Sequence, residues 1–167
     1  TTPVPDGARR VDLSGKTMIP GLISAHAHVS DVDGVKPRAY TDANTRRQLV
    51  VFARYGITSV WSLGGEQGPA FAARAEQVSP ALDRSRIYLA GEIVTARTTE
   101  EARAAVARVA GTNVDVIKIR VDDNLGTSQK MPEEVYRAVI GEAHQRGVRV
   151  AAHIFYLEDA KALLRAG

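Results

Sequence analysis

No cysteine occurs anywhere in the 167 residues. That removes a disulfide framework, a zinc–thiolate site and a cysteine nucleophile together, so any metal would be held by His, Asp, Glu or a modified side chain. It leaves the compartment open, since such a chain tolerates either redox environment. The cytoplasm is favoured, and export stays compatible with removal of an N-terminal segment. Aromatic residues make up only 5%, too few for base-stacking platforms. No apolar run approaches the ~18 residues of a membrane span, and no basic-then-apolar signal opens the chain. Charge of one sign is scarce too. The 22 Lys and Arg exceed the 19 Asp and Glu by three, spread along the chain, whereas a nucleic-acid footprint is clustered. Neither nucleic acid nor a membrane is expected as a partner.

What remains is an ordinary globular composition, 44% hydrophobic and 25% charged, at the length of about one domain. Residues 1–16 hold two prolines, two glycines and a short alternating stretch, and read as an extended lead-in. From Thr17 onward, strand and helix alternate. Strands are expected after Gly21 and over Ile57–Leu63, Arg86–Val94, Val114–Val121 and Val148–Ile154. Helices are expected over Asp42–Tyr55, Pro69–Val78, from a Thr98 or Thr99 cap to about Ala110, from Pro132 to Gly147, and over Leu157–Ala166. Five strands, each followed by a helix, imply a parallel α/β sheet with helices outside and right-handed connections. Either an open doubly wound sheet or part of a (β/α)8 barrel fits. Gly64-Gly65-Glu66-Gln67-Gly68 lacks the spacing of a dinucleotide-binding fingerprint. A closed barrel takes ~250 residues, so this chain would supply five of eight units.

His26 and His28, two apart on an expected strand, share a face near its C-terminal end, where barrel active sites are built. They are a metal-ligand pair or incidental polar residues. Lys118, on the strand Val114–Val121, shares its face with Val116 and Arg120 and points among the strands if the sheet closes. A lone buried ammonium is costly, so this lysine either snorkels to a sheet end or is carboxylated by carbon dioxide, becoming an anion able to bridge two divalent ions. His153 ends the next strand, a structural hydrogen-bonder or a further ligand. Arg120 can clamp a substrate carboxylate or pair with Asp122. Tyr156 can donate to a substrate carbonyl or cover the rim. The polar loop Asp122–Lys130 is a lid or a solvated connection. His144 falls on an outer helix.

The strings Thr17-Met-Ile-Pro-Gly-Leu-Ile-Ser-Ala-His-Ala-His-Val29, Val116-Ile-Lys-Ile119 and Val150-Ala-Ala-His153 resemble the amidohydrolase superfamily. The nearest group is that of the imidazolonepropionase-like and Xaa-Pro-dipeptidase-like metal hydrolases. The resemblance runs over nearly the whole chain in matching order. It implies a partial (β/α)8 TIM barrel of the metal-dependent hydrolase type over residues 17–167, with residues 1–16 as the edge of a small β-sandwich. It implies two divalent metal ions, most often zinc, and a lysine carbamate. On this pattern His26 and His28 bind one ion, Lys118 bridges both and His153 binds the second. Arg120 and Tyr156 would face the substrate.

The pattern also has a strand-six histidine and a strand-eight aspartate serving as general base. Neither has a counterpart in these residues. Ser24 and Ser62 stand where relatives often carry acidic or amide side chains. The expected activity is hydrolysis of an amide, peptide-like, urea or carbamate C–N bond in a small molecule. The remaining barrel strands would come from a longer polypeptide or another chain, and a homo-oligomer is expected. One rival reading is a non-catalytic metal-binding or assembly subunit lacking the general base. Another is a doubly wound binding module with incidental histidines.

Overall fold

The computed structural model describes residues 3–167, so the first two residues of the expected lead-in lie outside the described residues. Residues 3–21 carry turns and extended backbone but no strand. The elements then run β1 (Leu22–Ala27), β2 (Val32–Asp33), β3 (Lys36–Pro37), α1 (Asp42–Arg54), β4 (Ile57–Ser62), α2 (Gly68–Ala75), β5 (Arg86–Leu89), α3 (Thr99–Ala110), β6 (Val116–Val121), α4 (Glu133–Gln145), β7 (Arg149–Ile154) and α5 (Leu157–Ala166). No helix is long and apolar enough to cross a membrane.

The helix starts follow local chemistry. Thr41 caps α1 by accepting the Asn44 N–H at 3.2 Å, and Thr98 caps α3 by accepting that of Glu101, also at 3.2 Å. Glu101 reaches back to the Arg97 N–H at 2.8 Å, and two acids occupy the first turn. Gly56 and Gly147, both at positive φ, follow α1 and α4.

Strands β1, β4 and β5 form one parallel sheet, and β6 and β7 another. The seam between them is short but bonded. Leu89 O accepts the Asp115 N–H and Lys118 O accepts the Val94 N–H, each at 2.8 Å, and Ile93 forms a parallel bridge with Lys118. The order β1-β4-β5-β6-β7 therefore follows the chain. Period-2 alternation sorts β6 into two faces. Ile117, Ile119 and Val121 enter the large core with α3 and α4, while Val116 joins Leu63, Ala90, Trp61 and Ala151 on the other face. A further core joins Leu49 of α1 and Ala70 of α2 to Val60, Ile87 and Leu89. The outer elements are bare: Leu22 and Ile23 on β1 and Phe155, Leu157 and Leu164 beside β7 and on α5 are exposed, and α5 buries no residue fully.

Several boundaries differ from the sequence reading, among them the start of β6 at Val116 rather than Val114. Helix α2 stops at Ala75 rather than Val78, where Gln77 turns to accept the Ile87 N–H at 2.8 Å. Strand β5 stops at Leu89 because Gly91 takes φ +66, and pairing resumes only at Ile93. The short antiparallel pair β2–β3 turns at Gly34 (φ +60). Its Asp33-Gly34 pair is a recognised hairpin signal, realised here with arms of only two residues each.

Candidate active site

Lys118 occupies the middle of β6 and is 1% exposed. Its Nζ has no hydrogen-bond partner among the described residues. The chain makes room for it at Gly64. That glycine has φ +112, and a Cβ there would stand 2.5 Å from Ile93 Cγ1 and 3.4 Å from Lys118 Cγ. Burial pushes the Lys118 amine below the ordinary lysine range; the Arg120 charge acts the same way and Glu66 opposes them. The amine is thus biased toward its neutral, nucleophilic form.

His26 lies in β1, but His28 falls just past its end, because a register shift between Ser24 and Ala27 interrupts the strand. The two rings nevertheless stay together, centroids 5.3 Å apart and tilted by 55°. His28 Nδ1 lies 3.4 Å from Gly64 O. The His26 imidazole is held below its ordinary value, chiefly by burial and then by the charges of Lys118, His28 and His153. His153 is reached through sheet register: it pairs with Arg120 as Ala151 pairs with Lys118, so His153 shares the face of Lys118. His28 just past the end of β1, Lys118 in the middle of β6 and His153 near the end of β7 thus surround the imidazole of His26, near the end of β1, with charge.

Glu66 is a site residue that the sequence reading passed over. It is only 5% exposed. Its Oε1 accepts the Gly64 N–H at 2.8 Å and its Oε2 the Gly91 N–H at 2.7 Å. Ser62 Oγ accepts the Val29 N–H at 2.9 Å. These bonds tie the ends of β1, β4 and β5. Burial pushes the Glu66 carboxyl up, and the nearby Ser62 hydroxyl and the bonds from Gly64 and Gly91 pull against it. The only sequence signal was an acid inside a glycine-rich turn.

Arg120 and Tyr156, expected to face the substrate, are already engaged. Arg120 donates through Nε and Nη2 to Asp122 Oδ2 at 3.3 and 3.2 Å. The Tyr156 hydroxyl donates to Asp123 Oδ1 at 3.0 Å, and Lys130 lies 5.3 Å over its ring while pairing with Asp159 at 2.8 Å. Tyr156 thereby anchors the loop 122–130 to the start of α5. A cavity of about 790 Å³ opens beside that loop, lined by Thr95, Arg97, Glu101, Arg120, Asp122 and Lys130 among others. None of the three histidines nor Lys118 lines it. Among the described residues, no three His, Cys, Asp or Glu side chains stand together as a metal site.

No protein-family model matches the chain. It is 28% identical over 166 residues to an uncharacterized protein of Mycobacterium tuberculosis, covering 93% of this chain and 44% of that one. The chain thus spans less than half the length of this curated relative. The crystal structure of a candidate prolidase from Bifidobacterium longum superposes with a TM-score of 0.82 at 29% identity, covering 99% of this chain and 42% of that one. The crystal structure of an amidohydrolase shares the fold with a TM-score of 0.77 at 22% identity, over 99% of this chain and 50% of its own. With its parallel strands in chain order and its helices outside, the chain has the fold of part of these proteins, an amidohydrolase-like fold.

Proposed function

We propose that the chain forms the N-terminal part of a metal-dependent hydrolase that cleaves a C–N bond (amide, peptide-like, urea or carbamate) in a small molecule. In this reading its five βα units belong to an eight-unit barrel. The remaining strands come from the rest of a longer polypeptide or from another chain and cover the bare outer elements, while residues 1–16 lead in from a small β-sandwich. One observation carries the proposal: the buried amine of Lys118, without a partner among the described residues, faces the His26 imidazole closely enough to depress its pKa. A buried amine with no acceptor is unfavourable in either protonation state. Its neutral bias suits reaction with carbon dioxide, and the carbamate so formed would have two oxygens for metal ions.

The donor chemistry fits two divalent cations, for which zinc suits imidazole and carboxylate-type ligands. His26 and His28 would hold one ion, His153 the other, and the Lys118 carbamate both. Such ions, when bound, supply Lewis acidity toward water and toward a scissile carbonyl. The chain's own residues do the rest of the work shown here. Ser62 and Glu66 fix the ends of β1, β4 and β5, near which His26 and His28 stand. Gly64 keeps the approach to Lys118 open, and the Tyr156–Asp123 bond fixes the loop beside the cavity. The general base would lie in the part of the barrel that these residues do not supply.

The test uses the complete polypeptide purified with zinc and bicarbonate. Metal analysis should give about two ions per barrel, and 13C-labelled bicarbonate should yield a carbamate carbon signal that Lys118→Met abolishes. A panel of N-acyl amino acids, dipeptides, phenylureas and carbamates should include at least one substrate. A folded protein with no bound metal and an unmodified Lys118 would overturn the reading.

A further inference from the structure

We infer that Asp122 is a positioning residue for His153: its buried carboxylate holds the Nε2 edge of that imidazole and leaves Nδ1 as the nitrogen offered to a metal ion. The inference rests on the reading of His153 as a ligand.

The argument begins with burial. Asp122 stands one residue beyond β6, at the head of a polar loop, yet its side chain is only 5% exposed. A carboxylate taken from water needs donors around it. Asp122 has three sources: the Asn124 N–H reaches Oδ1 at 2.7 Å, the Arg120 guanidinium reaches Oδ2 at 3.2 and 3.3 Å, and His153 Nε2 lies 3.5 Å from Oδ2. Sheet register explains the convergence. Arg120 and His153 are paired residues of the parallel strands β6 and β7, so both side chains leave the same face, and a carboxylate two residues after Arg120 bends back over the pair.

The chemistry of imidazole supplies the next step. A carboxylate attracts a ring nitrogen that carries a proton, which in the neutral ring leaves the lone pair on the other nitrogen. With Nε2 the ring nitrogen beside Asp122, a proton on Nε2 puts the lone pair on Nδ1. At 3.5 Å the contact is an electrostatic tether, and the half-exposed ring has room to close it. Carboxylates that hold the second nitrogen of a ligating histidine are the general way such rings are oriented and made more basic. Arg120, by neutralising the far side of Asp122, belongs to the same assembly.

The test compares wild type, Asp122→Asn and His153→Asn in the complete, zinc-loaded protein. Zinc affinity is read by competition with a chromophoric chelator, and the imidazole nitrogens by 15N NMR, with the His153 resonances assigned as those lost in His153→Asn. Asp122→Asn should weaken one zinc site by about 10–100-fold and leave the other unchanged. The wild-type spectrum should show the proton on Nε2 and zinc on Nδ1. Zinc on Nε2, or a folded Asp122→Asn variant with wild-type zinc affinity and only a lowered melting temperature, would overturn the assignment while leaving the metal site in place. Wild type that binds no zinc, or a His153→Asn variant that binds it as before, would overturn the ligand reading of His153 itself. If Asp122→Asn fails to fold, the wild-type nitrogen assignment decides alone.

Discussion

Replacing Lys118 with methionine should make the metal-free chain more stable at neutral pH, and the advantage should fade as pH rises. The side chain is 1% exposed and its amine is unpartnered. Burying a polar group without a hydrogen bond costs roughly 1–3 kcal/mol on scales drawn from protein variants. Methionine has nearly the same reach, keeps the aliphatic contact beside Gly64 and Ile93, and removes the polar end. The expected gain is therefore about 1–3 kcal/mol, with Tm rising by about 2–4 °C per kcal/mol in a chain of this size.

The pH dependence follows from linkage. Burial first, and the Arg120 charge second, hold the folded amine below its ordinary 10.5, against the pull of Glu66. Between the folded pKa and 10.5 the unfolded chain binds more protons, so wild-type stability climbs with pH across that window and levels off above it. Methionine carries no such slope. Its advantage is greatest below the folded pKa and smallest near pH 10.5. Urea unfolding followed by circular dichroism, in carbon-dioxide-free buffer with chelator, measures both curves. A variant less stable than wild type near pH 7, or a difference that stays constant up to pH 10.5, would refute the reasoning. Zinc with bicarbonate should reverse the order, since binding stabilises only the chain that can bind.

Gly64→Ala should destabilise by at least about 2 kcal/mol in urea unfolding, because the new Cβ meets Ile93 Cγ1 at 2.5 Å in a backbone at φ +112. Glu66→Gln should cost about 1–3 kcal/mol, since an amide has one acceptor oxygen for two backbone N–H groups. Burial raises the folded pKa of Glu66 above its ordinary 4.5, so its contribution is complete below pH 4.5 and falls as pH rises through the folded value. The stability gap to Glu66→Gln should accordingly widen on acidification. Thr98→Ala should remove about 1 kcal/mol with the α3 cap, visible as a lower urea midpoint at unchanged slope.

The alternation of strand and helix was legible because each signal is local. Apolar periodicity, threonine caps and glycine stops lie within a few residues of the elements they define, and α5 falls over Leu157–Ala166 as the pattern indicates. The places of His26, Lys118 and His153 on successive parallel strands, with His28 just past the first, were legible because position along a strand can be counted along the chain. Glu66 was not. Its importance depends on Gly91, 25 residues away, and no periodicity connects an acid in a turn to the N–H of another loop. The partners of Arg120 and Tyr156 were half legible. Asp122 is near enough in sequence to name as a mate for Arg120, while the bond from Tyr156 to Asp123 spans 33 residues and needs the parallel pairing of β6 with β7 to exist.

The parts that were hidden explain why the parts that were visible can act. A lysine buried without a partner among the described residues works against stability, and a small set of buried hydrogen bonds opposes it. Ser62 and Glu66 bind the ends of β1, β4 and β5 without using a histidine. Asp115 does the same on the other side of the seam, accepting from Arg74 at 2.7 Å and from the Leu89 N–H at 2.8 Å. Both carboxylates take up backbone donors where the β5–β6 pairing is too short to do so, at Gly91 and at Leu89. The seam beside Lys118 is therefore held from its two ends by side chains rather than by a continuous ladder, and the strand that carries the lysine keeps its place while the amine itself stays free of any bond.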